Sequence, residues 1–281
     1  MTWGREPVSP PVALTIAGSD AGGGAGIQAD LKAMTAHGVF GTAVVTATTA
    51  QNTRGVADVH AVPAGHVASQ YDAVIEDFDV VAVKTGMLAT ASIVETAAGL
   101  LARGSAPVVV DPVMVAATGD RLLSPAAEDA YQGLIERATL VTPNADEAAV
   151  LVGDPVETLA DAEAAGRELV ARGAGAALVK GGHLDGETVV DTLVIGDSGE
   201  GSGDGDEPTV VRFENPRVAT DATHGSGCAL SSAIAARLAR GEPLREAVAG
   251  AVDDMGAAIR RGYDVGEGPG AVNPTAFDGG V

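Results

Sequence analysis

The stretch VALTIAGSDAGGGAGIQADLKAM, residues 12–34, runs from an apolar strand through a glycine-rich turn into a helix. Residues 12–17 are continuously apolar or β-branched, which is typical of a strand buried on both faces. After the turn, apolar residues recur at positions i, i+4 and i+7 from Ile27, the spacing of one helical face. This strand, turn and helix unit predicts an α/β protein.

The same alternation continues along the chain. Short apolar runs predict further strands, and Ala- and Glu-rich stretches predict covering helices. The strands are 42–47, 80–83, 108–110, 140–141 and 176–179, and the helices are 91–103, 124–137, 158–172 and 243–261. No period of 20–50 residues repeats. We therefore expect one domain over residues 1–281, with a central, mostly parallel sheet and helices on both faces.

The charge of the chain excludes several classes of partner. Its 281 residues include 17 Lys and Arg against 38 Asp and Glu, which gives a formal net charge of −21. A protein this acidic is repelled by nucleic-acid backbones and by anionic membrane surfaces, so we expect neither as a partner. Scarce lysine and only 3% aromatic residues also suggest a protein kept soluble in high salt, where repulsion between carboxylates is screened.

The N-terminus and the cysteine content predict a cytoplasmic location. Glu6 and three prolines precede or interrupt the first apolar run, which fits neither a signal peptide nor a membrane span. Cys228 is the single cysteine, which excludes an intrachain disulfide and a multi-cysteine zinc site.

One segment departs from the general composition. Residues 196–207, GDSGEGSGDGDE, lie between two strand-like segments at 189–195 and 209–213. The spacing of its aspartates loosely resembles a calcium loop, but the terminal glutamate of an EF-hand is absent at the required spacing. A solvated hairpin loop is the favoured interpretation.

The first glycine turn, residues 18–26, matches neither of the common phosphate-binding fingerprints. Its glycines still allow the backbone to approach a ligand closely. Asp20, at the end of the strand, could accept hydrogen bonds from a ligand hydroxyl or amine. The alternative is a flexible turn in which Asp20 caps the helix.

The second glycine turn, THGSGC at residues 223–228, leads into a helix of small residues. Gly225 and Gly227 let successive N–H groups point into one concavity at a helix N-terminus, which stabilises anions. Cys228 falls in the first helical turn, where the helix dipole favours the thiolate. Without this context, a lone cysteine is more often an inert core residue.

Polar residues also follow three other predicted strands: Asp111, Asn144 with Glu147, and Lys180. Taken separately, Asn144 could be a helix cap, Glu147 its capping-box partner and Lys180 a surface charge. Together they supply carboxylates for a metal ion, a cation for a polyphosphate and an anion hole. This combination is what phosphoryl transfer requires.

These motifs resemble the ribokinase-like superfamily and, within it, the hydroxymethylpyrimidine/phosphomethylpyrimidine kinases of thiamine biosynthesis. The resemblance runs from about residue 13 to about residue 274 and rests on seven blocks in the family's order: ALTIAGSDAGGGAGIQADLKA, VVTATTAQNTRGV, VKTGML, VVVDPVM, LVTPNADEA, LVKGGHLDG and THGSGCALSSAI. It implies a three-layer ribokinase-like fold. It also implies an enzyme that uses ATP and Mg²⁺ to phosphorylate 4-amino-5-hydroxymethyl-2-methylpyrimidine twice.

The resemblance assigns roles by position. Gln51 pairs with the amino and ring nitrogens of the pyrimidine, which suits an amide because it both donates and accepts. Lys180 offsets charge on the transferring phosphates, while Gly225, Gly227 and Cys228 form the anion hole. Cys228 stands where many sugar kinases of the superfamily carry an aspartate base. The remaining substrate positions are Asp20, Gly22, Gly23, Met87 and Val113, and the ATP or metal positions are Asp111, Asn144, Glu147, Lys180 and Ser226.

Two segments differ from the family's usual sequence, and a third resembles a segment that moves in the family. Asp221 and Ala222 replace a common Lys-Asn pair, which affects contacts to the nucleotide, and KTGM stands where KIGM is commoner. Residues 115–123 resemble a mobile flap that excludes water from the reaction. Family members are commonly homodimers.

Two other functions remain open at this stage. Pyridoxal or pyridoxine kinases share the fold and the cysteine-type anion hole, although the QAD and AQNT blocks favour the pyrimidine. A non-catalytic pyrimidine sensor would keep the pocket, but it would not need Asp111, Glu147, Lys180 and Cys228 together.

Overall fold

The computed structural model describes residues 7–114, 130–184, 186–196 and 207–277. Its strands are β1 (Val12–Asp20), β2 (Phe40–Asn52), β3 (Gly55–Ala61), β4 (Val80–Thr85), β5 (Val108–Val110), β6 (Leu140–Val141), β7 (Ala176–Val179), β8 (Thr188–Ile195) and β9 (Thr209–Pro216). They form one sheet in the order β3-β2-β1-β4-β5-β6-β7-β8-β9. The six strands from β2 to β7 in this order run parallel, while β3, β8 and β9 pair antiparallel to their neighbours.

The helices are α1 (Gly26–Ala36), α2 (Ala64–Ile75), α3 (Ala91–Leu101), α4 (Gln132–Ile135), α5 (Ala145–Val152), α6 (Leu159–Ala171), α7 (Ser226–Ala239) and α8 (Leu244–Arg260), with short 3₁₀ turns at Gly181–His183 and Pro274–Ala276. They cover both faces of the sheet. Strand β5 shows this directly, because Val108 and Val110 pack with α2 and α3, whereas Val109 packs with α7 and α8. Alternate residues of a strand point to opposite faces, so the sheet is buried on both sides.

Most predicted elements are confirmed. The strands at 42–47, 80–83, 108–110, 140–141 and 176–179 all form, and the predicted helices at 91–103, 158–172 and 243–261 match α3, α6 and α8 within two residues. The expected hairpin around the acidic run is also present, since Ile195 pairs with Thr209 across β8 and β9. The described part of the predicted helix 124–137, residues 130–137, contains the short helix α4.

Two expectations lie outside the described residues. The flap-like segment 115–123 falls wholly there, and so does most of the acidic run 196–207. Within the described chain, no helix is both long and apolar enough to cross a membrane.

Candidate active site

The carboxyl ends of the parallel strands meet at one edge of the sheet, where the two glycine turns also lie. The first turn joins β1 to α1, and the second precedes α7, which packs beside α1. Ligands of open α/β sheets bind at this edge. The structure therefore brings the two turns together with the polar residues that follow β5, β6 and β7.

Asp20 organises the first glycine turn. One carboxylate oxygen accepts a hydrogen bond from the N–H of Gly22 at 2.8 Å, and the other accepts from Gly24 at 3.0 Å and Ala25 at 2.8 Å. Burial alone would raise the pKa of Asp20, but hydrogen bonds from His224 and from the turn hold it below its usual value. Ala25, not Asp20, is the N-cap residue of α1. The alternative in which Asp20 caps the helix is therefore wrong, and its carboxylate shapes the turn instead.

The second turn places an uncapped helix N-terminus against the first turn. Gly225 has φ +77° and is the N-cap residue of α7, with no side-chain cap among the described residues. A Cβ atom on Gly225 would overlap the carbonyl of Gly24, so only glycine allows this contact between the turns. The N–H of Ser226 donates to the carbonyl of Thr223 at 3.1 Å. The N–H groups of Gly227 and Cys228 follow it in the first turn of α7, where an anion hole is predicted.

Lys180 lies between two buried carboxylates. Its Nζ atom is 3.1 Å from Oδ1 of Asp111 and 3.8 Å from Oε2 of Glu147. A Cβ atom on Gly227 would lie 3.1 Å from the same Nζ atom, so the cation sits directly beside the second turn. Burial lowers the pKa of Lys180, but the two carboxylates raise it above its usual value, and the ammonium stays charged. The structure therefore joins Lys180, Asp111 and Glu147 into one charged group beside the second turn.

Asp111 is held in place by two further side chains. The hydroxyl of Thr142 donates to Oδ1 at 3.3 Å, and that of Ser231 donates to Oδ2 at 3.3 Å. Burial and the neighbouring Asp111 raise the pKa of Glu147 to about 7, although Lys180 and hydrogen bonds from the N–H groups of Asn144 and Met114 act in the opposite direction. Sequence reasoning missed Thr142 and Ser231, because a single hydroxyl carries no local signal of its partner.

Asn144 and Glu147 form a capping box at the start of α5. The side-chain oxygen of Asn144 accepts from the N–H of Glu147 at 2.8 Å, and Oε2 of Glu147 accepts from the N–H of Asn144 at 2.8 Å. The interpretation of Asn144 as a helix cap and of Glu147 as its capping-box partner is thus confirmed. A role toward a metal ion remains a prediction, which does not conflict with capping because a carboxylate has further lone pairs.

Cys228 differs from the sequence expectation in its protonation. Burial raises the pKa of the thiol to about 11, and the carboxylates of Asp30 and Asp111 add to this effect. Lys84 and a hydrogen bond from the N–H of Gly26 act in the opposite direction. The expected stabilisation of a thiolate by the helix dipole is therefore wrong for the ligand-free protein, where the thiol keeps its proton.

Gln51, a predicted substrate residue, lies at the end of β2 beside the first turn. A Cβ atom on Gly22 would lie 3.3 Å from Cα of Asn52 and 3.4 Å from the carbonyl oxygen of Gln51. The amide oxygen of Gln51 is 3.1 Å from the hydroxyl of Thr49. Gly23 has φ +80°, and its carbonyl accepts from Lys32 at 2.7 Å. These contacts place the predicted substrate residues Gln51, Gly22 and Gly23 together.

Met87 reaches the same turn from β4. A Cβ atom on Gly18 would lie 2.5 Å from the terminal carbon of Met87, and the Met87 carbonyl accepts from Thr46 at 2.6 Å. Val113 follows Asp111 and is only partly buried, with its N–H bonded to the carbonyl of Asp111 at 2.8 Å. Met87 thus packs against the first turn at Gly18, and Val113 is hydrogen-bonded to Asp111.

Comparison with known proteins identifies the family. The model of the phosphomethylpyrimidine kinase family matches residues 20–273. This chain belongs to the phosphomethylpyrimidine kinase family. The match begins at Asp20 and includes most of the first glycine turn, the whole second turn and the Asp111, Glu147 and Lys180 group, so the expected family membership is confirmed.

Similar proteins agree with this family and with the fold. A hydroxymethylpyrimidine/phosphomethylpyrimidine kinase of Streptomyces coelicolor is 47% identical over 97% of each chain. The solved structure of Bacillus subtilis pyridoxal kinase in complex with ADP matches with a TM-score of 0.85 and 33% identity, over 95% of this chain and 98% of that one. Phosphomethylpyrimidine kinase from Clostridium difficile 630 matches with a TM-score of 0.73 and 37% identity, over 89% and 98%. The expected ribokinase-like fold is confirmed.

Proposed function

We propose that this protein transfers the γ-phosphoryl group of ATP to 4-amino-5-hydroxymethyl-2-methylpyrimidine and then to its monophosphate, as a step of thiamine biosynthesis. The observation that carries the proposal is the direct contact between the two glycine turns, Gly225 against Gly24, within a chain of this family. This contact sets a substrate turn beside an anion-binding turn. It provides the proximity that phosphoryl transfer between two bound molecules requires.

The phosphate end is formed by α7 and Lys180. The N–H groups of Gly225, Gly227 and Cys228 receive the transferring phosphoryl group, and Lys180 compensates its negative charge. These donors are fixed before the ligand binds, so they need no reorganisation during the reaction. Ser226 lies in the same helical turn and contributes to nucleotide binding.

Mg²⁺ fits the neighbouring acidic side chains. Asp111, Glu147 and Asn144 offer the oxygen ligands that this ion prefers, and Mg²⁺ keeps much of its water shell. Across the described ranges, no group of three or more His, Cys, Asp or Glu side chains is placed to hold a metal ion directly. We therefore assign these residues to contacts with Mg²⁺ through water. When bound, the ion neutralises phosphate charge.

In the first transfer, the hydroxyl oxygen of the substrate forms a bond to the γ-phosphorus while the bond from that phosphorus to the ADP oxygen breaks. The hydroxyl proton must leave, and Cys228 is the group of the second turn that can accept it. The thiol must first lose its own proton, because its pKa lies near 11 in the ligand-free protein. The second transfer has a phosphate oxygen as acceptor and requires no such base.

Gln51, Asp20, Gly22, Gly23, Met87 and Val113 form the substrate end of the site. Gln51 supplies the donor and acceptor for the pyrimidine edge, and Asp20 keeps Gly22 in place for a close backbone approach. Met87 and Val113 provide apolar contacts for the ring and its methyl group. Asp221 is exposed and Ala222 is apolar, so this pair does not supply the nucleotide contacts expected of Lys-Asn.

A coupled ATP assay in molar KCl tests this function. The substrates are the pyrimidine alcohol, its monophosphate, pyridoxal and pyridoxine. We expect ADP formation with both pyrimidines. Turnover of pyridoxal alone would instead favour the second candidate, for which the likeness to Bacillus subtilis pyridoxal kinase is the supporting observation. Binding of the pyrimidine without turnover would favour a sensor.

We also propose that residues 1–281 form one kinase domain, which the continuous sheet from Val12 to Pro216 supports. We further propose that the protein is a homodimer in the cytoplasm, which the family resemblance supports. Sedimentation at equilibrium measures the mass of the particle, and a value near 27.8 kDa would contradict the dimer.

A further inference from the structure

His224 connects the two glycine turns through its side chain. Its Nε2 atom lies 3.1 Å from Oδ2 of Asp20, the oxygen that also accepts from Gly24 and Ala25. The two side chains are 12% and 3% exposed, so solvent competes little for this contact. The second turn is thus joined to the carboxylate that organises the first.

The ring of His224 occupies space that the first turn leaves open. A Cβ atom on Gly24 would lie 2.4 Å from Cδ2 of His224, so glycine at position 24 is required for the ring to fit. The backbone of His224 is fixed independently of this ring. Its N–H donates to the carbonyl of Gly270 at 3.0 Å, and its carbonyl accepts from Val272 at 3.1 Å. His224 is therefore anchored by the C-terminal segment and reaches from there to Asp20.

Each turn also keeps its own hydrogen bonds. The N–H groups of Gly22, Gly24 and Ala25 hold the first turn on Asp20, while the second turn is continuous with α7. The loss of the His224 ring therefore leaves both turns able to form. What it removes is the side-chain hydrogen bond between the turns, which adds to the backbone contact of Gly225 with Gly24 in fixing their relative position.

We propose that His224 is a positioning residue that acts through Asp20 to fix the distance between the substrate turn and the anion-binding turn. This inference rests on the proposed function, in which the first turn holds the acceptor and the second the phosphoryl group. A misplacement of reacting groups by about 1 Å can cost about 10²-fold in rate. His224 is thus predicted to affect turnover more than the binding of either ligand.

The test compares His224→Leu with His224→Gln, whose side-chain amide can still donate to Asp20. We expect kcat for the pyrimidine alcohol to fall about 10²-fold in His224→Leu, with the Kd of each ligand alone, measured by calorimetry, within about threefold of wild type. His224→Gln is expected to recover most of the loss. The exposed His66→Leu is the matched control and should behave as wild type.

A second measurement does not depend on catalysis. Hydrogen exchange of the ligand-free protein should become faster in both turns, residues 18–26 and 223–228, in His224→Leu and should stay slow in His224→Gln. In an Asp20→Asn background, His224→Leu should have a smaller effect on kcat than in wild type, because the contact is already weakened.

Several results would overturn the positioning role. The first is an unchanged kcat together with unchanged hydrogen exchange in His224→Leu. The second is full additivity of the effects of His224→Leu and Asp20→Asn on kcat. The third is a rise in the Kd of both ligands as large as the fall in kcat. Failure of the proposed function is distinguishable, since wild-type protein would then not phosphorylate the pyrimidine at all. The exchange measurement still decides whether His224 couples the turns.

Discussion

The Nζ atom of Lys84 lies 2.8 Å from Oδ1 of Asp30, and neither side chain has any exposed surface. The hydroxyls of Ser232 and Thr15 also donate to the Asp30 carboxylate, at 2.8 and 2.6 Å. Burial would lower the pKa of Lys84, but Asp30 raises it above its usual value, so the lysine stays charged. This cluster ties α1 and α7, the two helices that begin at the glycine turns, to the strands β1 and β4.

Replacement of Lys84 by methionine should destabilise the protein strongly. Lys84→Met leaves the Asp30 carboxylate buried without its cation, at an expected cost of about 3–5 kcal/mol in the free energy of unfolding. The double variant Lys84→Met/Asp30→Leu should recover much of this loss, since it removes both charges. Urea unfolding measures each value, with the exposed Lys32→Met as control. A loss below about 1 kcal/mol in Lys84→Met would contradict the argument.

Substrate selection should depend on Gln51. In Gln51→Leu, the pyrimidine edge loses its paired hydrogen bonds and keeps unsatisfied buried groups, at a cost of about 1–3 kcal/mol. Binding of the pyrimidine alcohol should weaken about tenfold or more, as measured by calorimetry, while ATP binding stays unchanged. Gln132→Leu, on α4, is the control. An unaltered Kd in Gln51→Leu would remove Gln51 from the site.

Cys228 should matter most for the first transfer. A general base contributes about 10²–10⁴-fold, so Cys228→Ala should lower kcat for the alcohol by that factor and affect the monophosphate less. Because the pKa of the thiol is raised to about 11, its ionised fraction grows as pH rises through the neutral range. The first-step kcat should therefore increase with pH in wild type and lose this increase in Cys228→Ala. A wild-type rate in the variant would assign Cys228 a structural role only.

His37 should make stability sensitive to acid. Its ring stacks on Phe277 with centroids 5.3 Å apart, and in the described structure neither ring nitrogen has a hydrogen-bond partner. Nε2 lies 3.6 Å from Oδ2 of Asp254, which Arg237 also contacts at 2.9 Å. Burial lowers the pKa of His37, and Arg237 and Arg240 lower it further, against the opposite influence of Asp254 and Glu242.

Since the folded-state pKa of His37 lies below the unfolded value of about 6.5, protonation favours the unfolded chain. The stabilisation is complete above about pH 6.5 and is lost as pH falls through the folded pKa. His37→Leu should therefore lose less free energy of unfolding between neutral and acidic pH than wild type does. Urea unfolding over a pH series measures this slope, and the exposed His60→Leu should keep the wild-type slope. If the free energy of unfolding falls equally with pH in His37→Leu and wild type, His37 is not the source of the acid sensitivity.

Salt should govern folding as a whole. Repulsion at a net charge of −21 acts over about 30 Å in 0.01 M salt but over only about 3 Å in 1 M salt. We expect the protein to lose structure on dialysis into dilute buffer and to regain it with KCl. Circular dichroism follows the transition. A native spectrum with cooperative melting in 10 mM salt would contradict the high-salt interpretation.

The sequence could predict the sheet and its covering helices because burial on both faces leaves long apolar runs. It missed β3, most of whose residues are exposed at the sheet edge and therefore lack such a run. It also ended β1 at residue 17, whereas the strand continues to Asp20. There, Ser19 and Asp20 pair with Thr48 and Thr49 of β2 beyond a register shift, so tertiary pairing extends a segment that reads locally as a turn.

The candidate site was predictable where one motif contains both partners. The Asn144 and Glu147 capping box spans three residues, and its pattern is visible in the chain. The contacts of His224 with Asp20 and of Lys84 with Asp30 join distant segments, and no local pattern shows them. The protonation of Cys228 also depends on distant charges, which explains why the helix dipole alone predicted it wrongly.

The side chains that join the two turns are separated by 204 positions in the chain. Contacts of such long range raise the contact order and slow folding, because the loop between them must close first. During synthesis the N-terminal segments emerge first, so the turn after β1 leaves the ribosome long before α7 exists. Ribosome-bound chains that stop before residue 223 lack the anion-binding turn and should not hold substrate and nucleotide side by side. Stabilisation of the nascent chain by bound ligands is thus confined to the last fifth of its translation.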